Sequence, residues 1–111
     1  MKIIKNSIIP FKGFLAINLF GILFVREEYS DRLTPEIINH ECIHTKQMKE
    51  LLYIFFYIIY LLEWIFRVLF TKDKFSHNAY RNISFEKEAY THMNELDYLN
   101  KRKLFSMWKN D

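Results

Sequence analysis

The feature that most constrains this fold is a stretch from Pro35 to Phe70 with no glycine and, after Pro35, no further proline. Its apolar residues recur at steps of three and four, as on one face of an α-helix. Thr34 can cap such a helix, and Pro35 suits its first position. A straight helix over 35–70 would be about 54 Å long at ~1.5 Å per residue, which is longer than a compact domain of this size. We therefore expect the helix either to bend near Glu50–Tyr53 or to project from the domain.

The second half of this stretch, Leu51 to Phe70, is apolar enough to raise the question of a membrane. Its uninterrupted apolar run ends at Leu62, because Glu63 and Arg67 follow and are spaced to form an i, i+4 ion pair. Apolar runs of ~10–14 residues are more often buried core helices than membrane spans. The pattern favours a packed aromatic core helix, and an interfacial helix or a true span are the alternatives.

The first third of the chain has the pattern of extended structure. Residues 3–9 and 14–25 are dense in Ile, Leu, Phe and Val, and Pro10, Gly13 and Gly21 interrupt them. Short apolar runs between such breakers are typical of strands. Between 14 and 25 the pattern is nearly continuous rather than alternating, which indicates strands that are covered by other elements. A small N-terminal β-sheet or hairpin is the prediction.

A third helix is predicted from Ser84 to Asn100, with Ser84 as its N-cap. Five residues form its apolar stripe: Phe85, Ala89, Met93, Leu96 and Leu99. Residues 1–111 are therefore expected to form a single α+β domain, in which a small sheet precedes the long helical stretch and this third helix.

Charge and cysteine content limit the functions open to the chain. The formal net charge is only +3, and its one basic cluster is Lys101–Lys103, which we expect to be a solvated helix end. Nucleic-acid binding is therefore not expected. Cys42 is the only cysteine, which excludes an internal disulfide and suits a reducing compartment. The N-terminus lacks the pattern of a signal peptide. We expect a cytoplasmic protein; association with the membrane surface is a less favoured alternative.

The chemistry of the chain is concentrated in His40-Glu41-Cys42-Ile43-His44, an HExxH motif. On a helix, residues at i and i+4 project from one face, so two imidazoles can reach one zinc ion. Glu41 can reach a water held at the metal and act as general base for its attack on a carbonyl. Cys42 points away from His40 and is expected to be a packing residue.

A catalytic zinc site needs a third protein ligand. Gln47 and Glu50 stand where the extended metzincin motif requires Gly and His, so that class is excluded. The donors that follow the motif are Glu63, Asp73, His77, Glu86, Glu88, His92, Glu95 and Asp97. Glu86 and Glu88 each lie roughly 80° from the apolar stripe of the third helix, on opposite flanks. Helix phase therefore permits either carboxylate as the third ligand.

HExxH followed by Phe85-Glu86-Lys87-Glu88-Ala89-Tyr90 resembles the gluzincins, zinc metallopeptidases with two His and one Glu on the metal. In several gluzincin families the Glu opens an E-x-x-A segment, and this resemblance implies Glu86 as the ligand, with Glu88 as the alternative. Many relatives have an acidic or amide residue after that Ala, where this chain has Tyr90. The chain length is similar to that of minimal gluzincins, and residues 79–86 resemble small uncharacterised bacterial HExxH proteins.

A peptidase must also hold its substrate and stabilise an oxyanion. In gluzincins an edge strand before the HExxH helix pairs with extended substrate, and the 14–25 region can supply one. Tyr80, Tyr90 and His92, and also Arg81, are the candidate oxyanion donors. The expected function is zinc-dependent hydrolysis of peptides or proteins. The alternatives are a non-catalytic metal-binding scaffold and a membrane-associated interaction protein that uses helix 51–70.

Overall fold

The computed structural model describes residues 1–70 and 80–109 and has the predicted α+β architecture. A three-stranded sheet at the N-terminus precedes the helices. The elements are β1 (Lys2–Asn6), β2 (Ala16–Leu19), β3 (Ile22–Arg26), a 3-10 helix (Glu27–Arg32), α1 (Pro35–Glu50), α2 (Ile54–Phe70), α3 (Ser84–His92), α4 (Tyr98–Lys101) and a second 3-10 helix (Ser106–Trp108).

The sheet has the order β1-β3-β2, so β2 lies at an edge. β3 pairs in parallel with β1 and antiparallel with β2. Phe20 and Gly21 link β2 to β3 and both have positive φ, 53° and 89°, as a two-residue hairpin turn requires. The predicted strands are confirmed, and Gly21 separates two of them. Leu23 and Val25 of the central strand are buried.

The long helical stretch bends sharply, as its length predicted. Thr34 Oγ1 accepts a hydrogen bond from the Ile37 amide at 3.2 Å and caps α1. The axes of α1 and α2 differ in direction by 111°. Leu52 and Tyr53, between the two helices, have positive φ of 55° and 62°, and the Tyr53 amide donates to the Met48 carbonyl at 2.7 Å. Two left-handed residues in succession cannot continue a right-handed helix, so the chain turns.

α2 packs on the protein with one face only. Phe56 is its one buried residue, and Tyr57, Ile59 and Tyr60 are half-buried in the same cluster. The remaining large apolar residues of α2 are exposed: Ile54, Phe55, Ile58, Leu61, Leu62, Trp64, Ile65, Phe66, Leu69 and Phe70. The prediction of a packed core helix is therefore correct for the inner face and wrong for the outer one.

Within residues 1–70 and 80–109, no single helix combines the length and the apolar character needed to cross a membrane. α1 and α2 meet that test only when taken together across their bend, on length and composition alone.

The third helix is shorter than predicted and begins differently. α3 ends at His92, and the side-chain amide of Asn39 on α1 donates to the carbonyls of His92, Met93 and Glu95 just beyond it. Ser84 is not the N-cap. Its amide and hydroxyl both donate to the Glu63 carboxylate, at 2.6 and 2.7 Å. A carboxylate from α2 therefore supplies the acceptor that the sequence assigned to Ser84.

Arg102 is not part of a solvated helix end. Its side chain is only 1% exposed and pairs with Glu50 of α1 and Glu88 of α3, which are equally buried. The distances are 2.9 Å from Nη1 to Glu50 and 2.6 Å from Nε to Glu88. Arg102 therefore joins the C-terminal segment to both helices, whereas its neighbour Lys101 is 58% exposed.

We predict that Arg102→Ala lowers the free energy of unfolding by about 3–5 kcal/mol, because it leaves two buried carboxylates without their cation. Lys101→Ala is the matched control. Lys101 makes only exposed ion pairs, so its loss is expected to cost less than about 1 kcal/mol. Urea denaturation followed by circular dichroism measures both variants, and equal destabilisation would contradict the buried role of Arg102.

Candidate metal centre

Three buried side chains from two helices converge on one point. His40 Nε2 lies 3.1 Å from His44 Nε2, and Glu86 Oε1 lies 3.2 and 3.0 Å from these two nitrogens. All three residues are buried, and their donor atoms form a group that can hold a metal ion. The structure therefore brings together both His residues of the motif and one of the two candidate glutamates.

The positions of these residues on their helices explain the convergence. His40 and His44 are one helical turn apart on the face of α1 that packs against α3. Glu86 lies in the first turn of α3, where the positive end of the helix dipole favours a carboxylate. Ile43 on α1 and Ala89 on α3 are fully buried in one cluster beside the site. The small side chain of Ala89 lets the two helices approach closely.

Glu88, the alternative third ligand, faces a different part of the protein. Its carboxylate accepts hydrogen bonds from Arg102, Tyr98 and Gln47. Burial raises the pKa of Glu88, but hydrogen bonds from Arg102, Tyr98 and Gln47 outweigh that effect and lower it. Its oxygens are thus occupied by the ion pair to Arg102, and Glu86 is the glutamate that lies against the imidazoles.

Gln47 orients His44. The Gln47 side-chain amide donates to Glu88 Oε1 at 2.9 Å and to the Phe85 carbonyl at 3.1 Å. Its Oε1 therefore faces His44 Nδ1, 2.8 Å away, as an acceptor. A proton held on Nδ1 leaves Nε2 as the metal-binding nitrogen of a neutral imidazole. Sequence reasoning missed this role, although Gln47 follows His44 by three residues on the same helix face.

Tyr60 is the second residue that sequence reasoning missed. Its hydroxyl donates to Glu86 Oε2 at 2.6 Å, so the two oxygens of Glu86 have different partners. Tyr60 comes from α2, beyond the bend, and no local pattern in the sequence indicates that it meets Glu86. His40 Nδ1 is buried and has no hydrogen-bond partner among the described residues, while the Tyr90 ring packs edge-on against His40.

The charges of His44 and Glu86 stabilise each other in the protein without metal. Burial lowers the pKa of His44, but the Glu86 carboxylate outweighs burial and raises it to about 9. Burial likewise raises the pKa of Glu86, and His44 together with hydrogen bonds from both imidazoles and Tyr60 brings it well below its usual range. Two imidazole nitrogens and a carboxylate oxygen are a donor set that suits zinc.

Glu41 and the edge strand line a cleft beside these three residues. The cleft has a volume of about 270 Å³ and is bordered by β2, α1 and α2. Burial raises the pKa of the Glu41 carboxyl, and His44 and His40 offset this only in part. Asn18 holds β2 over the motif, because its side-chain amide donates to the Glu41 carbonyl and to Thr45 Oγ1, each at 3.0 Å.

The candidate oxyanion donors occupy different places. Tyr80 lines the cleft. Tyr90 packs against His40 and lies under the Arg81 guanidinium, 4.3 Å from its ring centroid. His92 does not line the cleft; it stacks on Tyr98 at 3.9 Å and pairs with Glu95.

The other candidate donors do not join the three converging residues. Glu63 meets Ser84, and Glu95 and Asp97 lie near Lys101. Cys42 is half-buried with its Sγ 3.8 Å from Met1 Sδ. Asp73 and His77 fall outside the described residues.

Comparisons with protein families, with curated proteins and with solved structures find no match to this chain.

We predict that the metal-free protein loses stability as the pH rises from about 6.5, the usual pKa of histidine, to about 9, its pKa in this site. Folding favours the charged form of His44. The stability that this charge contributes is therefore fully present below pH 6.5 and is lost as the pH rises through about 9. The expected loss is on the order of 3 kcal/mol. Urea denaturation at several pH values in the presence of a chelator measures this loss. His44→Gln is the control in which the free energy of unfolding should no longer fall over this pH range. The same fall in His44→Gln would show that another group causes it.

Proposed function

We propose that this protein is a zinc metallopeptidase, with His40, His44 and Glu86 as the metal ligands and Glu41 as the general base. The observation that carries the proposal is the convergence of two imidazole nitrogens and one carboxylate oxygen within 3.2 Å at the wall of an open cleft. The HExxH motif supplies two of these groups and the base, in the order that metal-assisted hydrolysis requires.

Two lines of support favour zinc and peptide hydrolysis. Two imidazoles and one carboxylate match the ligand sets of catalytic zinc sites, which keep one position open for water or substrate. The resemblance to gluzincins implied Glu86 as the ligand, and Glu86 is the residue that lies 3.0 Å from His44 Nε2.

The residues of the cleft have distinct tasks in the proposed reaction. When bound, zinc would polarise the substrate carbonyl and make water a stronger acid. Glu41 takes the proton of the attacking water and passes it to the leaving amine, and its raised pKa suits this exchange near neutral pH. Gln47 keeps the Nε2 lone pair of His44 directed at the site, and Tyr60 holds Glu86 by its second oxygen.

The edge strand β2 gives the cleft a way to bind an extended peptide. β2 pairs with β3 on one side only, so its other edge is open to strand addition within the described part of the chain. Four consecutive residues of β2 line the same cleft as Glu41: Ala16, Ile17, Asn18 and Leu19. Tyr80 lines this cleft as well. Burial and the Glu86 charge raise the pKa of its hydroxyl, which keeps it protonated as an oxyanion donor.

We predict that Glu41→Gln retains one zinc per chain but loses at least roughly a hundredfold in hydrolysis of an unstructured protein such as casein. His44→Ala and Glu86→Ala are expected to lose the zinc itself, because each removes a ligand. Glu88→Gln is the matched control: it alters the alternative glutamate and should keep its zinc. Zinc content is measured by atomic emission.

Three results would count against this proposal. Zinc retained in Glu86→Ala but lost in Glu88→Gln would transfer the ligand role to Glu88. Zinc bound without any hydrolysis in the wild type would leave a metal-binding scaffold. Undiminished hydrolysis in Glu41→Gln would remove Glu41 as the base.

We predict that Tyr80→Phe lowers kcat by roughly a hundredfold while changing KM little, because an oxyanion donor acts mainly in the transition state. Tyr29→Phe removes a hydroxyl outside the cleft, from a ring that lies under Arg32, and serves as the control that should keep its activity. A loss in KM alone, or an equal loss in both variants, would contradict the assignment of Tyr80.

A further inference from the structure

The outer face of α2 is apolar along its whole length. The ten exposed residues from Ile54 to Phe70 are all large and apolar. The only charged residues of the helix are Glu63 and Arg67, which lie within 4.0 Å of each other outside this continuous apolar face and have side chains that are 19% and 42% exposed. Side chains of this size, each about half exposed, present on the order of 1,000 Å² of apolar surface. The largest apolar patch on a typical monomeric protein is about 300–600 Å².

The outer face is also wide. At about 100° per residue, eight of the exposed residues cover a continuous arc of roughly 140°. Trp64 and Phe70 lie beyond its two edges, separated from it by the half-buried Tyr57, Ile59 and Val68. The seam between two paired helices is narrower than this and is bordered by charged residues. An apolar medium into which one side of the helix sinks fits this arc better than the narrow seam of a single partner helix does.

The chemistry at the edge of the patch also favours lipid. Protein interfaces have a polar rim and about one hydrogen bond per 100–200 Å². On α2 itself the hydrogen-bonding side chains beside this face are few: Trp64 on the flank of the arc, and Arg67, whose side chain is 42% exposed and pairs with Glu63. Tryptophan is the residue type enriched where a membrane meets water.

We propose that the outer face of α2 binds the surface of a phospholipid bilayer, with the helix lying in the interface rather than crossing it. Its 17 residues give a length of about 26 Å, which is short of the roughly 30 Å hydrocarbon core. The opposite, inner face of α2 is packed on the protein, which keeps the remainder of the domain above the lipid.

This orientation has a consequence for the substrate. Phe56, Tyr57 and Tyr60 of the inner face form one wall of the cleft that holds Glu41 and the candidate metal ligands. The cleft then lies within about one helix diameter, ~10 Å, of the bilayer surface. This inference rests on the proposed function. It identifies the substrates as polypeptide segments that emerge from a membrane or are tethered to it.

The test is flotation of the 111-residue chain with zwitterionic phosphatidylcholine vesicles at high salt, which screens surface charges and leaves apolar insertion. The double variant Leu62→Glu/Leu69→Glu places two charges on the patch, at residues 61% and 60% exposed. Leu96→Glu/Leu104→Glu is the matched control, with the same change at residues 59% and 63% exposed outside α2. All four side chains are mainly in solvent, so circular dichroism should show folded proteins.

We expect the wild type and the control to float with the vesicles, and the Leu62/Leu69 variant to bind them roughly tenfold more weakly or worse. Failure of the wild type to float, or equal flotation of both variants, would overturn the proposal. A stable dimer that does not float would assign the face to a second copy of the chain. No substrate is present, so an absence of peptidase activity does not affect this result.

A second measurement uses the tryptophans. Trp64 and Trp108 are the only two in the chain, so Trp108→Phe leaves Trp64 as the sole reporter on α2. Its emission is expected to shift to the blue when vesicles are added and to be quenched by brominated lipid. Emission unchanged by vesicles would place the flank of α2 in water and contradict the proposal.

Discussion

The contact between α1 and α3 is the interaction on which the site depends. It brings Glu86 within 3.2 Å of both imidazoles of the HExxH motif. Gln47 spans this contact, because it accepts from His44 on its own helix and donates to Glu88 and to the Phe85 carbonyl on the other. Arg102 then neutralises Glu88 and Glu50 together. The orientation of one imidazole therefore depends on a chain of buried hydrogen bonds that ends in the C-terminal segment.

The bend between α1 and α2 gives the second helix two different environments. Its inner face supplies Tyr60 to Glu86 and Glu63 to Ser84, so it supports the site and the start of α3. The exposed side chains of its outer face are all large and apolar. If α1 continued straight into α2, Tyr60 would lie far from Glu86. The 111° change in direction between the two helices brings the Tyr60 hydroxyl back to the Glu86 carboxylate. The bend thus links the candidate metal centre to the proposed membrane surface.

Local signals in the sequence predicted a large part of the fold. Thr34 and Pro35 marked the start of α1, the length of the helical stretch required a bend, and Gly21 separated two strands. The wrong predictions concern long-range partners. Arg102 was predicted to lie in solvent because lysines flank it, yet its side chain is buried and pairs with Glu50 and Glu88, which lie far from it in the sequence. Ser84 was assigned a cap that Glu63 supplies from another helix. Sequence periodicity predicts the faces of one helix at a time. It cannot predict which side chain of another helix will pair with a given residue.

The sequence by itself determined three features. Residue order and helix periodicity place His40 and His44 on one face with Glu41 between them in the chain, and composition alone makes α2 apolar. Only the tertiary structure decided between Glu86 and Glu88. The two lie on opposite flanks of the α3 stripe and are equivalent in helix phase. The direction in which α3 crosses α1 turns one toward the imidazoles, and Arg102 holds the other by charge. A crossing direction and a buried counterion both depend on residues far apart in the chain, so no local pattern could resolve them.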